Sequence, residues 1–150
     1  MENIINTPKS WDEIWLSIVQ IIAQKSKDPQ TKIGTVIVSP DNTRCTLGFN
    51  GFPVGIKDFE KRWERPEKYS RVVHAEMNAI LNAKTDLNGW TLYVSMPPCD
   101  RCACHIIQAK ISRIIWLNDP SSNAFNYDLS YQLLSEAGIK FGKYRENNNA

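Results

Sequence analysis

Short β-rich runs and helical runs alternate along the second half of the chain, and this order constrains the fold more than any other feature. The predicted strands are TLYVS (91–95), RIIWL (113–117) and IKFGKY (139–144). Helical patterns accompany them, at about 74–84, 99–109 and 129–137. Strands that alternate with helices pack as one sheet whose faces the helices cover. The sequence therefore predicts an α/β fold with one central sheet.

The first helix is predicted over about 10–25. Ser10 and Glu13 form a capping box, in which each side chain satisfies a backbone amide at the helix start. Apolar residues then recur at helical spacing, which predicts one buried face. They are Trp11, Ile14, Trp15, Ile18 and Ile22. Pro29 stops the helical pattern.

Two β-rich runs follow this helix and predict an antiparallel hairpin. They are IGTVIV (33–38) and TLGF (46–49), and the turn-forming residues 40–42 join them. The next segment, 51–73, carries six basic and four acidic side chains without clear periodicity. It is either a long functional loop or a solvated surface flap. The Asn-rich tail, 146–150, is expected to be frayed.

The composition is that of a globular chain with nearly balanced charge. A length of 150 residues suffices for one domain with a core, so we expect a single domain over 1–150. Lys and Arg number 18 against 16 acidic residues, a smaller basic excess than a polynucleotide-binding domain usually shows. The sequence has neither a secretion-signal pattern nor an apolar run of about 18 residues. We expect a cytoplasmic protein with no membrane or nucleic-acid partner.

Clustered cysteines predict a metal or redox site. Cys99, Cys102 and Cys104 lie within six residues, which is not typical of extracellular disulfides. The C-x-x-C spacing of Cys99 and Cys102 places two thiolates on one face at a helix start. With His74 from a separate element, they balance the charge of Zn²⁺ and leave a fourth position for water. Zinc lowers the pKa of such a water from about 15.7 to about 7.

A carboxylate, Glu76, follows His74 by two positions. Two residues are about 200° apart on a regular helix, which is too far round for Glu76 to be a second ligand. Its side chain can instead reach the open coordination position. There it can take a proton from water and pass it to a substrate nitrogen. Hydrolytic deamination requires such an acid–base partner.

Other interpretations of the cysteines stay open at this point. A C-x-x-C between a strand and a helix also describes a thioredoxin-like redox site. A structural zinc site could be closed by Cys104 or His105. Cys104, however, lies about 200° round the helix from Cys102, and His105 is about 9 Å along the axis. We interpret both as packing or surface residues, and Cys45 as a small core residue on a strand.

The motifs HAEMNAI (74–80) and MPPCDRC (96–102) match the zinc signature H-x-E…P-C-x-x-C of the cytidine deaminase-like superfamily. Two earlier stretches, SKDP (26–29) and GFNGFPVG (48–55), indicate one family within this superfamily. With these stretches, the chain resembles the deoxycytidylate (dCMP) deaminases. The resemblance covers about residues 10–145, which is nearly the whole chain.

The resemblance implies a three-layer α/β/α cytidine deaminase-like fold, with a mixed central sheet of about five strands. It implies conversion of dCMP and water to dUMP and ammonia, which supplies dUMP for thymidylate synthesis. His74, Cys99 and Cys102 would bind zinc. Glu76 would protonate N3 of cytosine while activated water attacks C4, and would then deliver a proton to the departing amine. The positions that would hold the base or sugar are Asn50, Ala75 and Pro97.

Three positions have competing explanations. A monophosphate needs an anion site, and Ser26-Lys27 offers a hydroxyl beside an ammonium. Lys27 is equally explained as a solvated cation at a helix end. Tyr127, in the predicted loop after the strand at 113–117, could cover the nucleotide or be a surface or core aromatic. Asn50 is also explained as a turn residue, because Asn-Gly favours turns by itself.

Members of the family are commonly hexamers that dCTP activates and dTTP inhibits. Asn50, Gly51 and Phe52 match part of the family's effector site, and a triphosphate effector would bring Mg²⁺. Some relatives hold a second, structural zinc through Cys and His in the insertion, but residues 51–73 contain neither. We therefore expect a homohexamer with dCTP and dTTP as effectors and one zinc per chain.

Two other functions compete with dCMP deamination. A deaminase of tRNA or single-stranded nucleic acid uses the same zinc chemistry, but it must also bind the phosphates on either side of the target nucleotide. The nearly balanced charge of residues 51–73 does not favour such phosphate binding. A zinc-stabilised interaction module without catalysis is the second alternative. Glu76 argues against it, because a structural site needs no carboxylate at an open position.

Overall fold

The computed structural model describes residues 7–120 and 122–146, and five strands form one sheet in it. The strands are β1 (Gly34–Val38), β2 (Cys45–Phe49), β3 (Thr91–Val94), β4 (Arg113–Trp116) and β5 (Lys140–Lys143). The helices are α1 (Trp11–Ala23), α2 (Glu67–Arg71), α3 (Ala75–Ala83), α4 (Asp100–Gln108) and α5 (Tyr127–Glu136). A 3₁₀ turn, Glu60–Trp63, precedes α2.

The sheet is mixed, with strand order β2-β1-β3-β4-β5. β1 pairs antiparallel with β2, as the predicted hairpin requires, and also with β3. β4 is parallel to β3 and to β5. Parallel neighbours need a crossover connection, which α4 and α5 supply. The predicted α/β fold with a mixed five-stranded sheet is confirmed.

Helix α1 covers one face of the sheet. The Ser10 hydroxyl caps it by accepting a hydrogen bond from the Glu13 backbone N–H at 3.2 Å. Its buried side chains include Trp15, Leu16 and Val19, which pack with side chains of β1 and β3. Trp11 and Ile14, predicted within the buried face, are 56% and 37% exposed. The face of α1 that packs on the sheet is therefore rotated about the helix axis relative to the predicted buried face.

The opposite face of the sheet carries α3, α4 and α5. Along β1, Val36 and Val38 pack with α1, while Ile37 packs in the cluster beneath the other helices. Both faces of β1 are buried, so the strand is apolar throughout rather than alternating. The chain thus forms three layers, with helices on both faces.

Gly48 allows β2 and α3 to approach each other closely. A Cβ atom at this position would lie 2.3 Å from the Ala75 carbonyl oxygen and 2.5 Å from the Ala79 nitrogen. Any larger residue would push the first turn of α3 away from the sheet. This contact therefore sets the position of the helix that follows His74.

The segment 51–73 differs from the predicted loop, because it contains the 3₁₀ turn and α2. Its two ends are joined: the backbone N–H groups of Gly51 and Val73 each donate to the other's carbonyl, at 3.1 and 2.7 Å. Phe52 stacks on buried Trp63, with ring centroids 4.1 Å apart. These contacts order a segment whose sequence has no helical periodicity.

The structure describes only the first residue of the Asn-rich tail. Of the tail at 146–150, only Glu146 is among the described residues, so the expected fraying lies outside them. No helix within 7–120 and 122–146 combines the length and the apolar character that a membrane span needs.

Candidate metal centre and adjoining cavity

Two helix starts bring the predicted metal ligands together. His74 is the residue before α3, and Cys99 is the residue before α4. Cys102 lies in the first turn of α4, and its backbone N–H points to the Cys99 sulfur at 3.5 Å. The His74 Nδ1 atom lies 3.6 Å from the Cys99 sulfur and 3.3 Å from the Cys102 sulfur.

These separations suit a tetrahedral ion. Zn–S bonds of about 2.3 Å and Zn–N bonds of about 2.0–2.1 Å at a tetrahedral angle place the two donors about 3.6 Å apart. The three donor atoms lie within 4.8 Å of one another and form the one such group among residues 7–120 and 122–146. One imidazole and two thiolates are the donors that zinc prefers. The donor set therefore fits zinc and leaves a position that no protein donor in this group fills.

Hydrogen bonds among the three donors shift their proton affinities. The contacts with Cys102 and His74 lower the pKa of Cys99 to about 4, against the effect of burial. The contact with Cys99, together with burial, raises the pKa of the Cys102 thiol. The contact with Cys99 raises the pKa of His74, although burial acts in the opposite direction. Metal binding would displace the protons that remain on these donors.

Glu76 is buried in the first turn of α3, with 5% of its surface exposed. Burial raises the pKa of its carboxyl group, and the neighbouring His74 charge offsets the effect only partly. Glu76 lines the same cavity as His74 and Cys99. A carboxyl group with a raised pKa beside a metal centre is suited to accept a proton and to donate it again.

One cavity opens above this centre, and it brings together most of the predicted site residues. They are Asn50, His74, Ala75, Glu76, Pro97, Cys99 and Tyr127. Cys102 faces a neighbouring groove, which also contains His74 and Cys99. The remaining four predicted residues, Ser26, Lys27, Gly51 and Phe52, line neither the cavity nor this groove.

Ser26 and Lys27 do not line the cavity. The buried Ser26 hydroxyl donates to the Asn50 carbonyl at 2.9 Å and accepts from the Asp28 N–H at 3.2 Å. The Lys27 ammonium forms an ion pair with Asp58 at 2.6 Å, and its side chain is 70% exposed. Their role in phosphate binding stays a prediction.

Asn50 holds the chain segment that follows Pro29. Its side-chain oxygen accepts from the Ile33 N–H at 2.9 Å, and its amide nitrogen donates to the Thr31 carbonyl at 2.9 Å. The same nitrogen lies 3.4 Å from Asp28. The side chain therefore shapes one wall of the cavity through contacts more extensive than those of a simple Asn-Gly turn.

Tyr127 is the first residue of α5 rather than a loop residue. Burial raises the pKa of its phenol to about 12, so the hydroxyl stays neutral and can donate a hydrogen bond. Phe125 packs edge-on against both Tyr127 and His74, with centroid distances of 6.2 and 5.4 Å. Sequence reasoning missed Phe125, because the stretch before α5 carries no motif.

A buried ion pair beside the cavity was also missed. Asp28 and Lys68 lie 2.5 Å apart, and their side chains are 0% and 7% exposed. Burial alone would raise the pKa of Asp28, but hydrogen bonds from Lys68 and from the backbone of Gln30 and Thr31 outweigh it and lower the pKa. Asp28 belongs to the SKDP motif, which the sequence analysis had singled out. Lys68 is one of six basic residues in segment 51–73, and no sequence feature distinguishes it from the others.

The remaining histidine and cysteines lie outside the metal group. Cys104 is half-buried and His105 is exposed, as their positions on α4 predicted. Cys45 is exposed, so its interpretation as a core residue was wrong. The four cysteines are free thiols, and the structure shows no Cys99–Cys102 disulfide.

Comparison with known proteins identifies the family. Residues 9–118 match the cytidine and deoxycytidylate deaminase zinc-binding region. The chain belongs to this family. Among curated deaminases, it is 36% identical to deoxycytidylate deaminase of Pongo abelii over 141 residues, covering 89% of this chain and 79% of the relative. An uncharacterised deaminase of Aliivibrio fischeri is 41% identical, with coverage of 87% and 90%.

The fold of this deaminase family is also found in solved structures. The dCMP deaminase of cyanophage S-TIM5, determined in complex with dCMP and dUMP, superposes with a TM-score of 0.74. The sequences are 22% identical, and the match covers 93% of this chain and all of the other. At this identity, the likeness supports the fold, and the family assignment rests on the sequence matches.

Proposed function

We propose that this deaminase hydrolyses dCMP to dUMP and ammonia with one zinc ion per chain. The observation that carries the proposal is the buried carboxylate of Glu76, which lines the same cavity as a His/Cys/Cys donor group. Curated relatives that share more than a third of their aligned residues with this chain bear the name deoxycytidylate deaminase. A structural zinc site would not need a buried acid beside it.

His74, Cys99 and Cys102 are the residues that would hold zinc. Zinc bound there supplies a Lewis acid that makes water nucleophilic near neutral pH. The three side chains supply one neutral and two anionic donors, and no fourth donor from the described residues closes the group. Water and substrate can therefore approach from the cavity.

Glu76 would move protons between water and the cytosine ring. Its carboxylate accepts a proton from the attacking water and delivers it to N3 as the ring accepts electrons at C4. It then carries a second proton to the amine, which leaves as ammonia. The raised pKa of this buried carboxyl group suits both directions of transfer.

The cavity walls would bind the base and sugar. Ala75 and Pro97 lie beside the donor group and would hold the pyrimidine edge through backbone groups. Asn50, fixed by its contacts with Thr31 and Ile33, would contact the sugar or base. Tyr127 would close the cavity with its neutral phenol. The sequence predicts Ser26 and Lys27 as phosphate ligands, but neither residue lines the cavity.

Regulation belongs to the same proposal. We expect activation by dCTP and inhibition by dTTP, each with Mg²⁺, at Asn50, Gly51 and Phe52 in a cytoplasmic homohexamer. The Gly51–Val73 backbone pairing supports this expectation, because it joins the effector segment to the residue before His74. Rates measured with each triphosphate, and the mass in sedimentation equilibrium, test regulation and assembly separately.

A substrate panel tests the reaction itself. Zinc-loaded enzyme should deaminate dCMP with a larger kcat/KM than deoxycytidine, cytidine, CMP or an oligonucleotide.

Glu76→Gln should keep zinc and fold but lose about 10²–10⁴-fold in kcat, since the glutamine side chain cannot accept a proton. Glu136→Gln, at an exposed acid on α5, is the control and should retain full activity. Preferential turnover of the oligonucleotide would favour the nucleic-acid deaminase instead, and an active Glu76→Gln would refute the proposed role of Glu76.

A further inference from the structure

Two cations of segment 51–73 line the cavity, and they differ in their surroundings. Lys68, on α2, is buried, whereas Arg65, just before α2, is exposed. Buried Glu76 and Cys99 line the deep part of the same cavity, so exposed Arg65 lies toward its mouth. The sequence offered no reason to choose between these two residues.

The charge of Lys68 is already neutralised. Its ammonium lies 2.5 Å from one carboxylate oxygen of buried Asp28. The other oxygen of Asp28 accepts hydrogen bonds from the backbone N–H groups of Gln30 and Thr31, at 2.9 and 3.1 Å. This pair holds α2 against the loop after α1. Removing the ammonium for a ligand would leave a buried carboxylate unpaired, which is costly.

Arg65 has no such partner among residues 7–120 and 122–146, where no carboxylate lies within 4 Å of its guanidinium. Its guanidinium carbon lies 5.6 Å from the centroid of the Tyr69 ring, and Tyr69 also lines the cavity. A guanidinium stacked on a ring keeps its edge N–H groups available. Those groups match two oxygens of a phosphate in a bidentate arrangement.

We propose that Arg65, supported by the Tyr69 ring, binds the 5′-phosphate of the substrate and selects a nucleoside monophosphate over a nucleoside. The inference rests on the proposed function for the orientation of the ligand. The amine-bearing edge of the base must reach Glu76 in the buried part of the cavity, so the phosphate, at the far end of the nucleotide, points toward the mouth. Lys27, paired with Asp58 outside the lining, takes no part.

Binding of the product and its nucleoside tests the proposal without relying on turnover. Titration calorimetry measures Kd for dUMP and for deoxyuridine in the zinc-loaded wild type and in Arg65→Gln. A charge-assisted bidentate contact predicts that Arg65→Gln weakens dUMP binding by about 10- to 100-fold. Deoxyuridine binding should change by less than about twofold, because that ligand has no phosphate. Arg65→Lys should restore part of the dUMP affinity, since it retains the charge without the planar fork.

Arg62→Gln is the matched control. Arg62 belongs to the same segment and stacks on Phe59, with its guanidinium carbon 5.1 Å from the ring centroid, but it does not line the cavity. It should leave both affinities unchanged. Lys27→Gln tests the competing assignment and should also leave the dUMP preference intact.

Three results would overturn the assignment of Arg65. In the first, Arg65→Gln weakens the binding of dUMP and of deoxyuridine equally. In the second, the wild type binds dUMP no more tightly than deoxyuridine. In the third, Lys27→Gln is the one variant that loses the preference for dUMP. The proposed function fails separately: a wild type that binds dUMP through Arg65 but does not deaminate dCMP would contradict the reaction and leave the phosphate assignment in place.

Discussion

At the scale of single residues, two neighbours in SKDP have opposite environments. Lys27 is solvent-exposed and reaches Asp58, whereas the Asp28 side chain is fully buried and reaches Lys68. Asp28 can be buried because its two oxygens accept hydrogen bonds from Lys68, Gln30 and Thr31. A motif of four residues therefore contributes more to the cavity through its carboxylate than through its ammonium.

Lys68→Met should destabilise the protein by about 3–5 kcal/mol, because it leaves Asp28 buried without its cation. Urea denaturation at pH 7 measures the free energy of unfolding. The double variant Asp28→Asn with Lys68→Met should recover most of the loss, since asparagine carries no charge and keeps the turn acceptor. Lys27→Met, which removes an exposed ion pair, should cost less than about 1 kcal/mol.

The same pair predicts a pH dependence. The pKa of Asp28 is lowered from 3.8 in the folded state, so its stabilising contribution is fully present above that value. The contribution is lost as the pH falls through the folded-state pKa. The stability difference between wild type and Lys68→Met should therefore shrink below about pH 4. A difference that stays constant on acidification would contradict the role given to the pair.

At the scale of elements, predictions held where a local pattern was strong and differed where tertiary contacts decide. The Ser10 cap and the hairpin of β1 and β2 were predicted correctly. Helix α2 was missed, because five residues without apolar periodicity do not form a stable helix alone. In the folded protein, the ion pair between Lys68 and Asp28 holds this helix in place, and the stacked rings of Phe52 and Trp63 order the preceding part of the segment.

The contact between β2 and α3 gives a prediction for one glycine. Gly48→Ala should cost about 1–3 kcal/mol, because the new methyl group overlaps the backbone of Ala75 and Ala79. It should also weaken zinc binding, since His74 directly precedes the same helix turn. Thermal unfolding and a competitive zinc chelator measure the two effects. Gly142→Ala, where a Cβ meets nothing within 4 Å, should change stability by less than about 0.5 kcal/mol. Equal effects of both substitutions would refute the close approach as the cause.

At the scale of the whole molecule, the candidate metal centre brings together the starts of two helices. His74 precedes α3 and Cys99 precedes α4, so an ion bound there links elements 25 residues apart. A ligand that binds only the folded state stabilises it. Zinc should therefore contribute to stability as well as to chemistry.

Metal analysis should find one zinc per chain. Chelation should abolish deamination and lower Tm, and added zinc should restore both. Cys102→Ser should lose most of the metal, whereas Cys104→Ser should keep it, because Cys104 lies outside the donor group. Two zinc ions per chain would contradict the expectation drawn from residues 51–73. A metal-free protein that cycles a Cys99–Cys102 disulfide would support the redox alternative.

The sequence alone determined the order of the five strands and of helices α1, α3, α4 and α5, and the candidate donors His74, Cys99 and Cys102 with Glu76 beside them. These features depend on periodicity, capping and short motifs, which act over a few neighbouring residues. Only the tertiary structure decided that Asp28 pairs with Lys68, that Phe125 packs on His74, and that Arg65 rather than Lys27 lines the cavity. Those outcomes depend on contacts between residues far apart along the chain, and no local pattern encodes them.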